Sequence, residues 1–140
     1  MKLIINTDGG ARGNPGPAGI GVVIRDENNQ IIAGHKQYIG EATNNCAEYK
    51  ALILALEKAK IISNFQFPIS NLEIRMDSEL IVRQMQGRYK IKDANLKILA
   101  AEVIKLIKNF HHVEFKHVPR EQNKEADKLV NEAIDEAVKV

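Results

Sequence analysis

Four carboxylates, Asp8, Glu48, Asp77 and Asp127, are placed where they can act together. Asp8 follows the apolar run Leu3-Ile4-Ile5. Glu48 falls in the first turn of a predicted helix. Asp77 ends the run Leu72-Glu73-Ile74-Arg75-Met76, and Asp127 lies near the start of the last amphipathic segment. Converged acids repel one another unless cations hold them, so the chemistry they offer is that of a divalent-metal site. Bound ions would also turn a repulsive cluster into one that attracts phosphate.

Each acid has a purely structural use as well. Asp8 can bond its own glycine turn. Glu48 can complete a capping box, because Asn45-x-x-Glu48 has the required spacing. Asp77 can N-cap a helix starting near Ser78. Asp127 can complement a helix dipole from the first turn. The elements separate the two readings: two acids end strands of one presumed sheet, and two open helices beside it. Ligands of open α/β sheets bind at the carboxyl ends of the strands.

Those elements follow from periodicity. Residues 2–7 read as a strand, residues 9–19 as a glycine- and proline-rich loop, and residues 20–25 and 31–39 as two more strands. Asp26-Glu27-Asn28-Asn29 is a polar hairpin turn between the latter two. A helix spans about 44–62, with an apolar face broad enough to imply deep burial. A strand at 72–76 and a short helix at about 78–86 follow, with Gly87 as the stop. Leu96, Leu99, Ala100, Val103, Ile104, Ile107 and Phe110 keep the i, i+3, i+4, i+7 spacing of a long helix. A strand at 112–118 ends at Pro119. Asn123 then N-caps a last helix whose face is Ala126, Leu129, Val130, Ala133, Ile134 and Ala137. The order βββ-α-β-α-α-β-α predicts an α/β fold, a mixed sheet with helices packed against it. Helical crossovers make strands 1, 4 and 5 parallel.

The chain has 140 residues, 44% hydrophobic and 27% charged, which is ordinary for one soluble globular domain covering 1–140. No apolar run reaches the roughly 18 residues of a membrane span, and the N-terminus does not read as a signal peptide. The lone Cys46 fits a reducing cytoplasm. A net charge of +2 does not by itself call for nucleic acid. The local excess of Arg83, Arg88, Lys90, Lys92 and Lys97 over Asp93 is either a phosphate contact or a solvated helix end. The expected state is a monomer, with no protein partner to infer.

The glycine-rich stretch is not a phosphate loop. It lacks the Gly-Lys-Ser/Thr ending, and a strand follows it where a helix is required. Its glycines serve a tight turn, Asn14-Pro15-Gly16, and a close backbone approach to a ligand.

The chain resembles the ribonuclease H type 1 family over nearly its whole length. The residues that carry this are Thr7-Asp8-Gly9-Gly10 with Gly13-Asn14-Pro15-Gly16, then Thr43-Asn44-Asn45-Cys46-Ala47-Glu48, Asp77-Ser78, and Asn123-Lys124-Glu125-Ala126-Asp127. The resemblance implies the ribonuclease H-like fold, a five-stranded mixed sheet flanked by helices, with strands 1–3 antiparallel. It implies endonucleolytic hydrolysis of the RNA strand of RNA–DNA hybrids, leaving 5′-phosphate and 3′-hydroxyl ends. Asp8, Glu48, Asp77 and Asp127 would hold two Mg²⁺ or Mn²⁺ ions. Gly9, Asn14, Asn44, Asn45 and Glu79 would contact the RNA strand, and Thr43 a phosphate of the DNA strand. Capping is the other use of Thr43, Asn44 and Asn45, and the two uses are compatible.

Three departures stand out. The segment Gln86–Asp93 is too short for the basic insertion that some members use to grip the hybrid. Glu41 stands where some members place an arginine. The loop His117–Asn123 is more compact than the one that carries a mobile histidine in many members. His117 and Arg120 are the accessory candidates there, and a surface charge beside Glu121 is the other reading of Arg120. A proofreading exonuclease of the same fold needs Asp-x-Glu where this chain has Asp8-Gly9-Gly10. A non-catalytic hybrid-binding module predicts a lost carboxylate, and all four are present.

Overall fold

The computed structural model describes residues 1–139. Three strands, β1 (Lys2–Ala11), β2 (Gly16–Arg25) and β3 (Ile31–Ala42), form an antiparallel meander. Asp26 closes the β2–β3 turn by accepting from the backbone of Asn28 and Gln30 at 2.9 and 3.0 Å. Helix α1 (Asn44–Phe65) leads into β4 (Asn71–Met76), and α2 (Glu79–Met85) and α3 (Ala94–Ile107) lead into β5 (His112–His117). A 3₁₀ turn, Arg120–Gln122, precedes the last helix, α4 (Lys124–Ala137). The sheet order is β3-β2-β1-β4-β5, with β4 parallel to both β1 and β5. This is the five-stranded mixed sheet that the element order predicted.

Helix α1 lies on one face of the sheet and α4 on the other, which is why much of β1 and β2 is buried on both sides. The main core sets Leu3, Ile5, Val22 and Ile24 of the sheet against Tyr49, Leu52 and Leu56 of α1. These side chains are fully buried, and each apolar one contributes about 1.5–3 kcal/mol. Across the sheet, α4 buries Ala126, Val130, Ala133 and Ile134. Ion pairs from Arg12 to Asp135 and from Lys36 to Glu136, both 2.7 Å, also tie α4 down. Such exposed pairs are each worth about 0–1 kcal/mol, so the apolar face of α4 dominates its attachment.

The glycine-rich segment departs from its predicted loop. β1 continues to Ala11 and β2 begins at Gly16, pairing Asp8 with Gly21 through Ala11 with Ala18. The predicted close approach is real, but helices make it. A Cβ at Gly21 would lie 2.4 Å from the Ala126 carbonyl oxygen, and one at Gly9 would lie 2.3 Å from the Ala47 carbonyl carbon. The tight turn is Arg12–Pro15, and its positive φ falls on Gly13, at 94°, instead of Gly16. Helix α3 stops at Ile107, short of Phe110. A turn from Phe110 N–H to the Ile107 carbonyl carries the ring back into the core. Gly87, at φ 76°, ends α2 as expected. No helix among the described residues is long and apolar enough to cross a membrane.

Candidate active site

The site forms where the central strands part. β1 and β4 pair from Lys2–Asn71 to Asn6–Arg75 and no further. Beyond that point β1 continues beside β2 alone, and β4 ends at Met76. Asp8 and Asp77, the latter just past β4, flank the opening. Asp8 therefore sits within β1, at the end of its parallel pairing, and not at the end of the strand as expected. Helix α1 brings Glu48 to the same place, where Glu48 Oε1 accepts from the Gly9 N–H at 2.9 Å. Helix α4 brings Asp127. The result is a cleft of about 410 Å³ lined by all four acids, with Arg12, Asn44, Arg120 and Asn131 among its other walls.

Carboxylate oxygens of Asp8, Glu48 and Asp77 lie within 4.8 Å of one another. Asp127 stands outside this tightest group but lines the same cleft. Burial, then the charges of Asp77 and Asp127, push the Asp8 carboxyl up to about 8. Burial, then Asp8 and Asp77, push Glu48 well above its ordinary range. Burial also raises Asp77, while Asn123, Arg120 and His117 act against that rise. An all-oxygen, anionic, half-dry cluster that holds protons it would shed in water fits hard divalent cations.

The purely structural uses of three acids fail. Thr43, and not Asn45, caps α1 by accepting from Cys46 N–H at 3.2 Å, and Glu48 is turned to Gly9 instead of a capping box. Ser78 caps α2, so Asp77 does not. Asp8 lies in a strand and not in a turn. Asp127 does occupy the first turn of α4, where dipole and cleft are served together.

Of the predicted substrate residues, Gly9 and Asn44 line the cleft. Asn44 Oδ1 accepts from Ala11 N–H at 2.8 Å, and Asn14 Oδ1 accepts from Asn44 N–H at 3.0 Å, which ties the glycine loop to the start of α1. Asn14, Thr43 and Asn45 line a neighbouring recess that also holds Glu41 and Lys50. Glu79, exposed in the first turn of α2, and His117, at the end of β5, stand outside the cleft. Arg120 is within it.

Three further residues of the site escape the sequence reading. Asn131 follows Asp127 by one helical turn, so helix periodicity places it on the cleft face. Arg12 has no such marker. Asn123 was expected to cap α4, yet its side chain makes no cap bond. It turns inward instead, donating to the Thr7 carbonyl.

Fold and site together define an α/β protein with a carboxylate cleft at the ends of its parallel strands. The reverse transcriptase-like family matches residues 6–133. Ribonuclease HI of Halobacterium salinarum is 42% identical over 130 residues, 93% of this chain and 63% of that protein. Ribonuclease H of Methylococcus capsulatus is 33% identical and is covered over 87% of its length. Among solved structures, LC11-RNase H1 in complex with an RNA/DNA hybrid is similar at 53% identity and a TM-score of 0.91, covering 97% of this chain and 99% of that one. The chain belongs to the ribonuclease H type 1 family. It spans only 36% of the length of other curated relatives, such as the bifunctional protein Rv2228c of Mycobacterium tuberculosis, which is 42% identical over the shared part.

Proposed function

We propose that the chain is an endoribonuclease that hydrolyses the RNA strand of RNA–DNA hybrids. The observation that carries this is the packing of Asp8, Glu48 and Asp77 oxygens within 4.8 Å in an open cleft. Membership of the family, and a similar chain crystallised with an RNA/DNA hybrid, support the substrate.

Asp8, Glu48, Asp77 and Asp127 would hold two Mg²⁺ or Mn²⁺ ions. Two ions bound there would supply an activated water and charge stabilisation for the leaving 3′ oxygen. Hydrolysis then adds the water oxygen to phosphorus and releases the 3′ oxygen as a hydroxyl, leaving a 5′-phosphate. Arg120 favours the charged form of Asp77, and its guanidinium faces the cleft where a phosphate would lie.

Asn44, bonded to Ala11 and to Asn14, is held beside the acids, with Asn14 in the adjoining recess. Amides both donate and accept, which suits an RNA 2′-hydroxyl, and Gly9 lines the cleft beside them. Asn45 and Thr43 face the adjacent recess. There Lys50 supplies the cation for a DNA-strand phosphate, and Glu41 opposes it. Glu79 is assigned to RNA that runs past Asp77.

Cleavage of hybrid, duplex RNA and duplex DNA, each with and without Mg²⁺, tests the proposal. The expected result is metal-dependent cutting of the hybrid and survival of the DNA duplex. Equal cutting of the DNA duplex, or cutting without metal, would overturn it.

A further inference from the structure

Asn123 is only 1% exposed, and the chemistry above has no direct use for it. It stands at the N-cap of α4 but forgoes a side-chain cap bond, worth about 1 kcal/mol. Its Nδ2 donates to the Thr7 carbonyl at 2.9 Å, and its Oδ1 accepts from Asn6 Nδ2 at 3.0 Å. Its amide is also among the groups that favour the charged form of Asp77. Its own carbonyl accepts from the Asp127 N–H at 3.1 Å.

One buried residue thus bonds the strand position before Asp8 and the turn that carries Asp127, and its amide favours the charged form of Asp77. These belong to three elements separated in the chain by tens of residues. An amide in the dry base of the site is held in one orientation, because each partner left unmet costs about 1–3 kcal/mol. Groups one step behind ligands set ligand geometry in just this way.

We propose that Asn123 is a positioning residue for the divalent-ion site, fixing Asp77 and Asp127 relative to Asp8. Asn6 acts through it, by holding the Asn123 carbonyl so that the amide faces Thr7 and Asp77. This inference rests on the two-ion reading of the acids.

Isothermal titration of the full chain with Mn²⁺ in the absence of nucleic acid tests it, on the native protein, Asn123→Ala and Asn6→Ala. Asn123→Ala weakens Mn²⁺ binding by about 10- to 100-fold. Asn6→Ala weakens it by a smaller factor in the same direction. In cleavage assays kcat falls, while KM for the hybrid stays within about twofold of native, because no substrate-facing group is lost.

Native Mn²⁺ affinity in a folded Asn123→Ala would overturn the proposal, as would a defect confined to KM or to the melting temperature. If circular dichroism shows Asn123→Ala unfolded, Asn6→Ala decides: unchanged Mn²⁺ affinity overturns the proposal, and weakened affinity supports it. Failure of the native chain to bind Mn²⁺ would instead sink the two-ion reading, and the proposal with it.

Discussion

The Gly9 N–H donates to Glu48 Oε1 at 2.9 Å, so the residue after one acid holds the next. The contact exists because α1 passes so close to β1 that a Cβ at Gly9 would lie 2.3 Å from the Ala47 carbonyl carbon. Backbone atoms cannot yield as a side-chain end can. Gly9→Ala is therefore expected to push α1 off β1, destabilise the chain by about 2–4 kcal/mol and move Glu48 away from Asp8. Chemical denaturation checks the first effect, and Mn²⁺ titration of the folded fraction checks the second. A variant with native stability would show that the helix shifts freely.

Asp8 is the centre of the cluster by geometry and by charge. Asp8→Asn keeps its size and removes its charge. Cleavage of the hybrid in Mg²⁺ is expected to fall by at least about a thousandfold, equivalent to roughly 4 kcal/mol of barrier. Without metal the same variant is expected to be more stable than native at neutral pH, by about 1–2 kcal/mol, because a raised, repelled carboxyl is gone. Near-native turnover would remove Asp8 from the chemistry.

Without metal, pH acts on stability in the direction opposite to most acids. The folded state raises the Asp8 carboxyl from 3.8 to about 8, through burial first and then Asp77 and Asp127. Glu48 and Asp77 shift the same way. Between those two values the folded chain binds more protons than the unfolded one, so stability falls as pH rises. Thermal melts in chelator are expected to show a loss on the order of 1–3 kcal/mol from about pH 5 to about pH 8. Mg²⁺ replaces the protons, so it should restore most at the upper end. A melting temperature that climbs with pH in chelator would contradict this account.

Arg88, Lys90 and Lys92 gather with Tyr89 and Leu80 around a shallow recess at the end of α2. In place of a long insertion, this short segment is a candidate basic surface for the proposed hybrid. Replacing the three with Ala is expected to weaken hybrid binding in Ca²⁺. It should also flatten the plot of log K against log salt, by about 0.7–0.9 for each phosphate that the variant no longer neutralises. An unchanged slope would mark the cluster as a solvated helix end.

Much of this was legible in the chain. Alternation and 3.6-residue periodicity exposed the meander, the broad face of α1 and the order of crossovers, because each is a local consequence of which side chains must be buried. The four acids were legible because each was read beside a predicted junction, although Asp8 lies inside β1. What failed was local inference applied to residues with distant partners. Gly9 and Gly19 read as loop glycines, yet they are strand residues kept small by the backbone of Ala47 and Val130. Glu48 read equally well as a capping-box acid, and Asn123 read as a helix cap. Their partners, Gly9 and Thr7, lie 39 and 116 residues away.

By itself the sequence determined which elements form and in what order, since backbone propensity and burial pattern are written residue by residue. Only the tertiary structure decided that β1 outruns β4 at Asn6, which opens the gap that Asp8 and Asp77 flank. It also decided that Glu48 turns to Gly9, and that Asn123 leaves its helix end to join three of the acid-bearing elements. Those outcomes depend on how closely helices approach the sheet, a distance set by packed volumes on both faces and by no single stretch of chain.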